Sequence, residues 1–390
     1  MAKKLRVGIL FGGRSGEHEV SLLSAASILK AIDRKKFEVV PIGITKTGRW
    51  LTGGGAQALL SGGSIAGLGA GDAAQGDSAS AALLPSAPAD AVTALVPDAV
   101  SLGSGKLDVV FPVLHGTFGE DGTIQGLFEL ADTAYVGSGV LGSAAGMDKD
   151  VMKRLFATAR LPIVKHLTVL RNAWEASPRK TVTAIEAALK YPLFVKPANL
   201  GSSVGISKVH DRKELAPALT LAAKYDRKIV IEEGVAGKGK SRITTKAREL
   251  EVAVLGNDDP KASVVGEIVP GKEFYDYEAK YLSDGSIPII PAKITAAESK
   301  QIRAMAVEAF RACDLAGLAR VDFLMEPDGK RRIYLNEVNT LPGFTSISMY
   351  PKLWQATGLS YADLITRLIE LGLERHKERS RTTFSLEGIQ

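Results

Sequence analysis

The sequence predicts an α/β protein with a parallel-sheet βαβ domain at the N-terminus and smaller units of strands and helices after it. Residues 5–44 run in the order strand, glycine turn, helix, strand, which is typical of a βαβ unit. From about residue 147 the pattern changes to short strands separated by glycine and serine turns. Residues 320–343 contain two short runs of alternating polar and apolar residues around a turn, which predicts a β-hairpin.

Length and composition set the class of protein. The chain has 390 residues, enough for two or three domains, and we expect three. Its 45% apolar and 24% charged residues are ordinary for a soluble globular protein and exclude a wholly disordered or fibrous chain. The net charge of +6 would suit an anionic ligand, but the basic residues are scattered, so nucleic-acid binding is not expected.

The N-terminal segment predicts where the protein is located, and the single cysteine has a separate, structural interpretation. The first apolar stretch, residues 7–11, is too short for a signal peptide or a membrane span. We therefore expect no membrane association and a cytoplasmic location. Cys313 cannot form an intramolecular disulfide, and it lies among apolar residues at helical spacing, which predicts a buried thiol.

The N-terminal unit predicts a ligand site at one edge of its sheet. We expect strands at residues 5–11 and 37–44, with a helix beginning near Glu19 between them. Ligands bind at the carboxyl ends of parallel strands, which here means the loop at residues 12–21. Residues 107–122 repeat the pattern, because an apolar strand runs into a glycine-marked loop.

The remaining chain alternates between low-complexity and regular segments. Residues 53–97 are dominated by Gly, Ala and Ser, so we expect a mobile surface excursion there. A loop is expected from about residue 237, and a solvated tail at residues 375–381. The other predicted elements are strands at residues 191–197, 228–233 and 249–256 and helices at 297–313 and 361–374.

The C-terminal hairpin carries the most informative polar residues. Alternate side chains of a strand share a face, so Arg320 lies beside Asp322 and Glu337 beside Asn339. Counting from the Pro-Asp-Gly turn at residues 327–329 places Glu337 roughly opposite Arg320, with Asp322 about one diagonal away. Two carboxylates and an amide suit a hard divalent cation such as Mg²⁺. The alternative is a solvated hairpin whose polar residues face water.

Two further segments could bind charged groups. Lys196 ends an apolar strand and precedes the glycine–serine turn at residues 201–205, where backbone N–H groups could hold a phosphate. A hairpin turn with an extended surface lysine is the alternative. Glu17 could receive a substrate ammonium, and the alternative is that it caps a helix. For Glu19 only the helix cap is expected. His115 has a similar loop position, and a structural role is the alternative for it.

A series of motifs runs in order through nearly the whole chain, and together they resemble the D-alanine D-alanine ligases, which have the ATP-grasp fold. The resemblance implies an N-terminal domain at residues 1–146 and an ATP-grasp fold of two α+β subdomains at 147–248 and 249–390. The matching motifs are His18-Glu19-Val20-Ser21, His115-Gly116, Gly119-Glu120-Asp121-Gly122-Thr123, Met147-Asp148-Lys149, Lys196-Pro197, Gly201-Ser202-Ser203-Val204-Gly205, Phe274-Tyr275-Asp276-Tyr277-Glu278-Ala279-Lys280-Tyr281, Arg320-Val321-Asp322 and Asn336-Glu337-Val338-Asn339-Thr340.

The resemblance implies an ATP-dependent ligation of two D-alanine molecules for peptidoglycan precursor synthesis. ATP would phosphorylate the first D-alanine to an acyl phosphate, and the amine of the second would attack it. Asp322, Glu337 and Asn339 would hold two Mg²⁺ or Mn²⁺ ions, which agrees with the oxygen donors of the hairpin. The resemblance also implies a homodimer. The excursion and an apparent insertion at residues 237–247 depart from the compact family pattern.

The resemblance also implies roles for the other site residues. Those expected to contact ATP are Lys149 and Lys196 (α- and β-phosphates), Lys280 (γ-phosphate), Glu232 and Val235 (adenine) and Glu249 (ribose). Those expected at the amino-acid substrates are Glu17 (first ammonium), Ser348 (second carboxylate), Arg320 and the Gly343 N–H (oxyanion) and Tyr281, hydrogen-bonded to Ser202 and Glu17 from a closing loop. Tyrosine at position 281 favours an amine nucleophile, because ligases that use D-lactate are expected to carry histidine there.

Three alternatives remain open at this point. A ligase of the same fold could accept D-serine or D-lactate as its second substrate. A nucleotide-binding oxidoreductase would explain the N-terminal unit, but residues 12–16 do not match its GxGxxG fingerprint. A regulatory ATP-binding module without turnover would lack catalytic groups, whereas all three metal-ligand candidates and Arg320 are present.

Overall fold

A computed structural model describes residues 3–62, 106–201, 204–235, 246–269 and 286–383. The site predictions for Ser202, Lys280 and Tyr281 lie outside these residues. So do most of the predicted excursion and of the insertion near residue 240.

The N-terminal sheet has the strand order β3-β2-β1-β4. The central strand β1 (Leu5–Gly12) is parallel to both β2 (Phe37–Ile44) and β4 (Val109–Val113), and the short β3 (Trp50–Leu51) is antiparallel to β2. Helix α1 (His18–Ala31) connects β1 to β2 and packs on β1. Six consecutive residues of β1 are buried because the sheet is covered on both faces. The predicted βαβ unit is confirmed.

The predicted excursion begins later than its composition suggested. Residues Gly53–Leu60 form helix α2, which packs on β2. Ala56 and Leu59 are buried three residues apart, and this small apolar stripe is enough to dock the turn-rich segment on a sheet. The prediction of a mobile surface segment is therefore wrong for these eight residues.

The next sheet is antiparallel, with the order β5-β8-β6-β7. Its core includes Ile185, Leu219 and Ile231, which are completely buried between the sheet and its helices. The strands are β5 (His166–Leu170), β6 (Leu193–Pro197), β7 (Ser207–Val209) and β8 (Lys228–Glu233), and the helices are α6 (Arg171–Ala176), α7 (Pro178–Ala188) and α8 (Arg212–Tyr225).

The C-terminal sheet is also antiparallel, in the order β11-β10-β9-β12-β13. Helices from the middle and the end of the chain pack against it. The preceding middle helices are α3 (Thr123–Leu130), α4 (Val140–Met147) and α5 (Lys149–Thr158). The remaining elements are β9 (Arg248–Gly256), β10 (Lys261–Val269), β11 (Ile287–Ile289), α9 (Ala296–Ala312), β12 (Gly317–Met325), β13 (Ile333–Asn339), α10 (Met349–Thr357) and α11 (Tyr361–Arg379).

The last helix joins the N-terminal and C-terminal sheets. Residues of α10 and α11 share one hydrophobic core with β1 and β4. The helix continues past residue 374, where a solvated tail was expected. The Arg375 guanidinium lies 4.1 Å from the centre of the Tyr135 ring, and Arg379 forms an ion pair of 2.5 Å with Glu129. The tail prediction is wrong for these residues because α3 and the segment after it provide partners.

The predicted burial of the cysteine is confirmed. Cys313 is 1% exposed and follows α9 in the core of the C-terminal sheet. Burial raises the pKa of its thiol to about 12, so it is not activated as a nucleophile. Within the described ranges, no helix combines the length and apolar character that a membrane crossing would need.

A glycine lets α4 pack closely on the turn after α9. A Cβ atom at Gly142 would collide with the carbonyl oxygen of Asp314. We expect Gly142→Ala to lower the free energy of unfolding by about 1–3 kcal/mol, because the backbone would have to move. Gly126→Ala in α3 is the control: nothing lies within 4 Å of the added methyl, and stability should be unchanged or slightly raised. Urea unfolding of both variants tests this, and equal stabilities would contradict it.

Candidate active site

A cavity of about 110 Å³ lies where the three sheet units meet. Its lining comes from the loop before α1, the start of α5, the segment after β6 and the strands β9, β12 and β13. Glutamates and basic side chains from regions more than 300 residues apart therefore share one space. The predicted site residues that line it are Glu17, Lys149, Arg320, Glu337, Asn339, Gly343 and Ser348.

The hairpin brings its carboxylates closer together than counting from the turn predicted. Asp322 pairs directly with Glu337, and Arg320 pairs with Asn339. The register shifts at Asn336, which has no partner residue on β12, so the bulge moves Glu337 opposite Asp322. The prediction that Glu337 faces Arg320 is therefore wrong. Directly paired residues have Cβ atoms about 5 Å apart, so the two carboxylates can converge on one cation.

Arg320 lies among the carboxylates of this sheet. Its Nε and Nη2 atoms are 2.8 and 2.7 Å from the two carboxylate oxygens of Asp322. The Nε atom is also 3.3 Å from an oxygen of Glu251, which lies on β9 directly opposite Asp322. Glu251, Asp322 and Glu337 thus occupy one row across three strands, with the guanidinium above it.

Lys149 is the first residue of α5 and points into the cavity. Its ammonium donates to the carbonyl oxygen of Leu200 at 2.9 Å and is 3.7 Å from a carboxylate oxygen of Glu337. Its backbone N–H donates to the carbonyl oxygen of Ala198 at 3.1 Å. The lysine is therefore held between the segment after β6 and the carboxylates of the hairpin.

Lys196 and Glu232 form a buried charged cluster behind this cavity. An oxygen of Glu232 accepts from Lys196 at 2.8 Å, and the other is 2.9 Å from the ammonium of Lys153. Burial would raise the pKa of Glu232, but the two lysines lower it to about 2. The pKa of Lys153 is lowered because its burial outweighs the attraction of Glu232. Burial also disfavours charged Lys196, but Glu232 and Glu337 raise its pKa.

The structure separates some predicted ATP contacts from the cavity. Among the described residues, four of those predictions do not line it: Lys196, Glu232, Val235 and Glu249. They lie on or beside β6, β8 and β9, where the second and third sheet units adjoin. Asp322 does not line the cavity either, although its partner Arg320 does.

Glu17 does not cap α1. It occupies the cap position without a side-chain cap bond, and its carboxylate lies against two glycine backbones instead. A Cβ atom would lie 2.7 Å from its Oε2 at Gly116 and 2.8 Å at Gly201. The position of Glu17 therefore depends on these glycines, and Gly116 also has a φ of +76° that favours glycine.

His115 and Ser348 hold the loops around Glu17. The Nδ1 atom of the buried His115 is 2.9 Å from the carbonyl oxygen of Leu341, which supports the structural alternative for this histidine. Ser348 accepts from the N–H of Thr345 at 2.9 Å. A Cβ atom at Gly343 would lie 2.9 Å from its hydroxyl, so the Gly343 backbone and the Ser348 hydroxyl are neighbours.

Two family profiles match most of the chain, "D-ala D-ala ligase N-terminus" over residues 6–138 and "D-ala D-ala ligase C-terminus" over residues 155–370. The chain belongs to the D-alanine–D-alanine ligase family. The D-alanine–D-alanine ligase of Bacillus cytotoxicus is 48% identical over 383 residues, which cover 98% of this chain and 99% of that one. The corresponding ligase of Heliobacterium modesticaldum is 50% identical and covers 97% of each chain.

Solved structures agree with this assignment. The D-alanine-D-alanine ligase from Coxiella burnetii superimposes with a TM-score of 0.74 at 32% identity and covers 97% of both chains. VanG D-Ala:D-Ser ligase from Enterococcus faecalis gives a TM-score of 0.76 at 37% identity and covers 95% of this chain and 100% of its own. The predicted resemblance and ATP-grasp fold class are confirmed, and the chain is a ligase.

This ligase has three buried charged residues at its site to which the sequence analysis gave no role. They are Glu251, Lys153 and Glu120. Glu120 lines the cavity and accepts from the N–H groups of Gly116 at 2.6 Å and Leu341 at 3.3 Å. Burial and the charge of Glu17 raise the pKa of Glu120 to about 8. Its motif was recognised in the sequence, but its burial against two loops was not visible there.

Proposed function

We propose that this ligase joins two D-alanine molecules to D-alanyl-D-alanine at the expense of ATP, through a D-alanyl phosphate, and so supplies peptidoglycan precursors. The observation that supports this is the shared cavity. Glu17, Lys149 and Glu337 all line it, and we propose that they bind the substrate ammonium, a phosphate and a cation, respectively. Activation of a carboxylate by ATP needs both kinds of group within one small space.

We propose the substrate roles that the family resemblance implies. Glu17 would bind the ammonium of the first D-alanine, and the Ser348 hydroxyl would bind the carboxylate of the second. Arg320 and the Gly343 N–H would stabilise the oxyanion of the tetrahedral intermediate, a contribution of about 3–4 kcal/mol for one such donor. Tyr281 would hydrogen-bond to Ser202 and Glu17 when its loop closes the site, which would keep water from the acyl phosphate.

The donor set on the hairpin fits a hard divalent cation. We assign Asp322, Glu337 and Asn339 to two Mg²⁺ or Mn²⁺ ions, which would neutralise phosphate charge during transfer. A carboxylate offers about four acceptor positions, so Asp322 keeps capacity beyond its two contacts with Arg320. Among the described residues, no three His, Cys, Asp or Glu side chains group as a metal site, and the proposed set is instead two carboxylates and the amide of Asn339.

The expected ATP contacts are divided between the cavity and the strands beside it. We propose that the adenine lies near the end of β8 and that the phosphates extend toward the hairpin. Lys196 supports this, because its ammonium donates to Glu232 on β8 and the Glu337 carboxylate of the hairpin also raises its pKa. The assigned residues are Lys149, Lys196 and Lys280 for the phosphates, Glu232 and Val235 for adenine and Glu249 for ribose.

The larger-scale assignments are also proposals. We propose domains at residues 1–146, 147–248 and 249–390, a cytoplasmic location and a homodimer. The three sheets support the domain division, since β1–β4, β5–β8 and β9–β13 each form a separate sheet. Light scattering of the purified protein tests the homodimer, and a monomer mass would contradict it.

The function is tested by incubating the protein with Mg²⁺-ATP and D-alanine and identifying the products by mass. We expect ADP and D-alanyl-D-alanine from D-alanine alone, and neither product with L-alanine. The similarity to a D-Ala:D-Ser ligase at 37% identity favours D-alanyl-D-serine as a second candidate product. Mixtures of D-alanine with D-serine or D-lactate separate these possibilities. ADP release without D-alanyl-D-alanine would contradict the main proposal.

A further inference from the structure

A network of partly buried polar contacts lies next to Lys149, and none of its residues has a role in the proposed function. It joins Asp148, Asn199 and Lys228, which come from the start of α5, the segment after β6 and the start of β8. We propose that these three are positioning residues that set the location of the Lys149 ammonium for ATP binding. This inference rests on the proposed phosphate-binding role of Lys149.

Asp148 uses its two oxygens for different elements. Oδ1 accepts from the N–H groups of Asp150 and Val151, both at 3.1 Å, and so caps α5. Oδ2 accepts from the Asn199 amide at 3.1 Å and from the Lys228 ammonium. A cap alone would need only the first oxygen, and the second connects the helix start to two strands.

Asn199 fixes the segment that leads into the glycine–serine loop. Its backbone N–H and its side-chain amide donate to one oxygen of Asp226, at 2.7 and 3.2 Å. The same amide also reaches Asp148. Asn199 is followed directly by Leu200 and Gly201, which line the cavity. The loop therefore begins from a residue whose backbone and side chain are both held.

Lys228 closes the network from the other side. Only 8% of this lysine is exposed, and its ammonium lies between Asp148 and Asp150, 3.5 Å from the latter. Its carbonyl oxygen accepts from the N–H of Ala198 at 3.1 Å. The charge of Lys228 thus balances the buried Asp150 and the partly buried Asp148. Its backbone fixes the end of β6.

The consequence is that both ends of Lys149 depend on the network. Its backbone N–H donates to Ala198 and its ammonium donates to Leu200, which flank Asn199. A shift of this segment relative to α5 would therefore move the ammonium away from the position where the phosphates bind. Small displacements of an oriented group are costly, so losing one connection should weaken ATP binding by about tenfold.

The test uses substitutions that keep the cap but remove the connection. Asp148→Ser leaves a hydroxyl that can still cap α5, and Asn199→Ala removes the bridging amide. We expect each to raise the Kd for ATP, measured by calorimetry, by about tenfold, with a smaller change in kcat than in the KM for ATP. The double variant should weaken binding by less than the product of the two single effects, because both remove one connection.

Two controls make the outcomes distinct. Asp211→Ser changes the cap of α8, where Asp211 accepts from the N–H groups of Lys213 and Glu214, and should leave the Kd for ATP unchanged. Lys149→Met tests the underlying role. If Lys149→Met weakens ATP binding but both network variants bind as the parent does, the inference is wrong and the proposed function stands. If Lys149→Met also binds ATP normally, the assignment of Lys149 falls, and the inference with it.

Discussion

Asp322→Asn and Glu337→Gln are each expected to lower kcat by about a thousandfold or more, because each removes a charged ligand from the proposed cation site. The two residues form a direct cross-strand pair. We therefore expect that no neighbouring side chain on either strand can take over the role of the missing ligand. Both substitutions keep the shape of the side chain. The fold should be retained, since an amide at position 322 can still accept from Arg320, whose guanidinium also contacts Glu251. At position 337, removing the charge relieves repulsion between the paired carboxylates. Steady-state ADP release with saturating ATP and D-alanine measures the effect.

The readouts that accompany this experiment separate catalysis from folding. Far-ultraviolet circular dichroism and the melting temperature should stay close to those of the parent protein. In the parent, Mg²⁺ with a nucleotide should raise the melting temperature, and this rise should shrink in both variants because the ligand binds less tightly. Asp328→Asn in the turn of the same hairpin is the matched control and should retain activity. Near-normal turnover in Asp322→Asn would contradict the proposed metal site.

The elements that could be predicted from the sequence are those whose own residues determine their secondary structure and burial. The second strand of the βαβ unit, Phe37–Ile44, has the predicted bounds, and so does Lys228–Glu233. Both are short, apolar or β-branched runs that end at a charged or turn-forming segment, so local propensity and burial agree. The motifs that face the cavity were also visible, because their polar residues interrupt otherwise apolar strands.

The hairpin register could not be predicted, because a distant contact accompanies the bulge. The carbonyl oxygen of the unpaired Asn336 accepts from the ammonium of Lys153 at 3.2 Å, across 183 positions of sequence. Counting from a turn assumes an unbroken ladder of hydrogen bonds. The burial of the further charged residues at the site depends in the same way on tertiary packing. Nothing near Glu120 or Glu251 in the sequence shows that each becomes buried beside the cavity.

Glu232→Gln is expected to lower the free energy of unfolding at neutral pH by about 3–5 kcal/mol, the cost of breaking a buried ion pair by removing one partner. The substitution leaves the ammonium groups of Lys153 and Lys196 buried without the carboxylate that lies 2.9 and 2.8 Å from them. Urea unfolding at pH 7 measures the loss. Glu233, the next residue on β8, accepts a backbone N–H at 3.0 Å and has no ion pair with another described residue. Glu233→Gln should therefore change stability far less.

The pH dependence gives the same cluster a second, independent test. The carboxyl pKa of Glu232 is lowered from 4.5 to about 2 on folding, so its contribution to stability is complete above its unfolded pKa and is lost as the pH falls toward the folded value. A glutamine resembles the protonated acid. The stability difference between the parent and Glu232→Gln should therefore be largest above pH 4.5 and should narrow steadily between about pH 4.5 and 2. A difference that stays constant over this range would show that Glu232 is not held ionised by the two lysines.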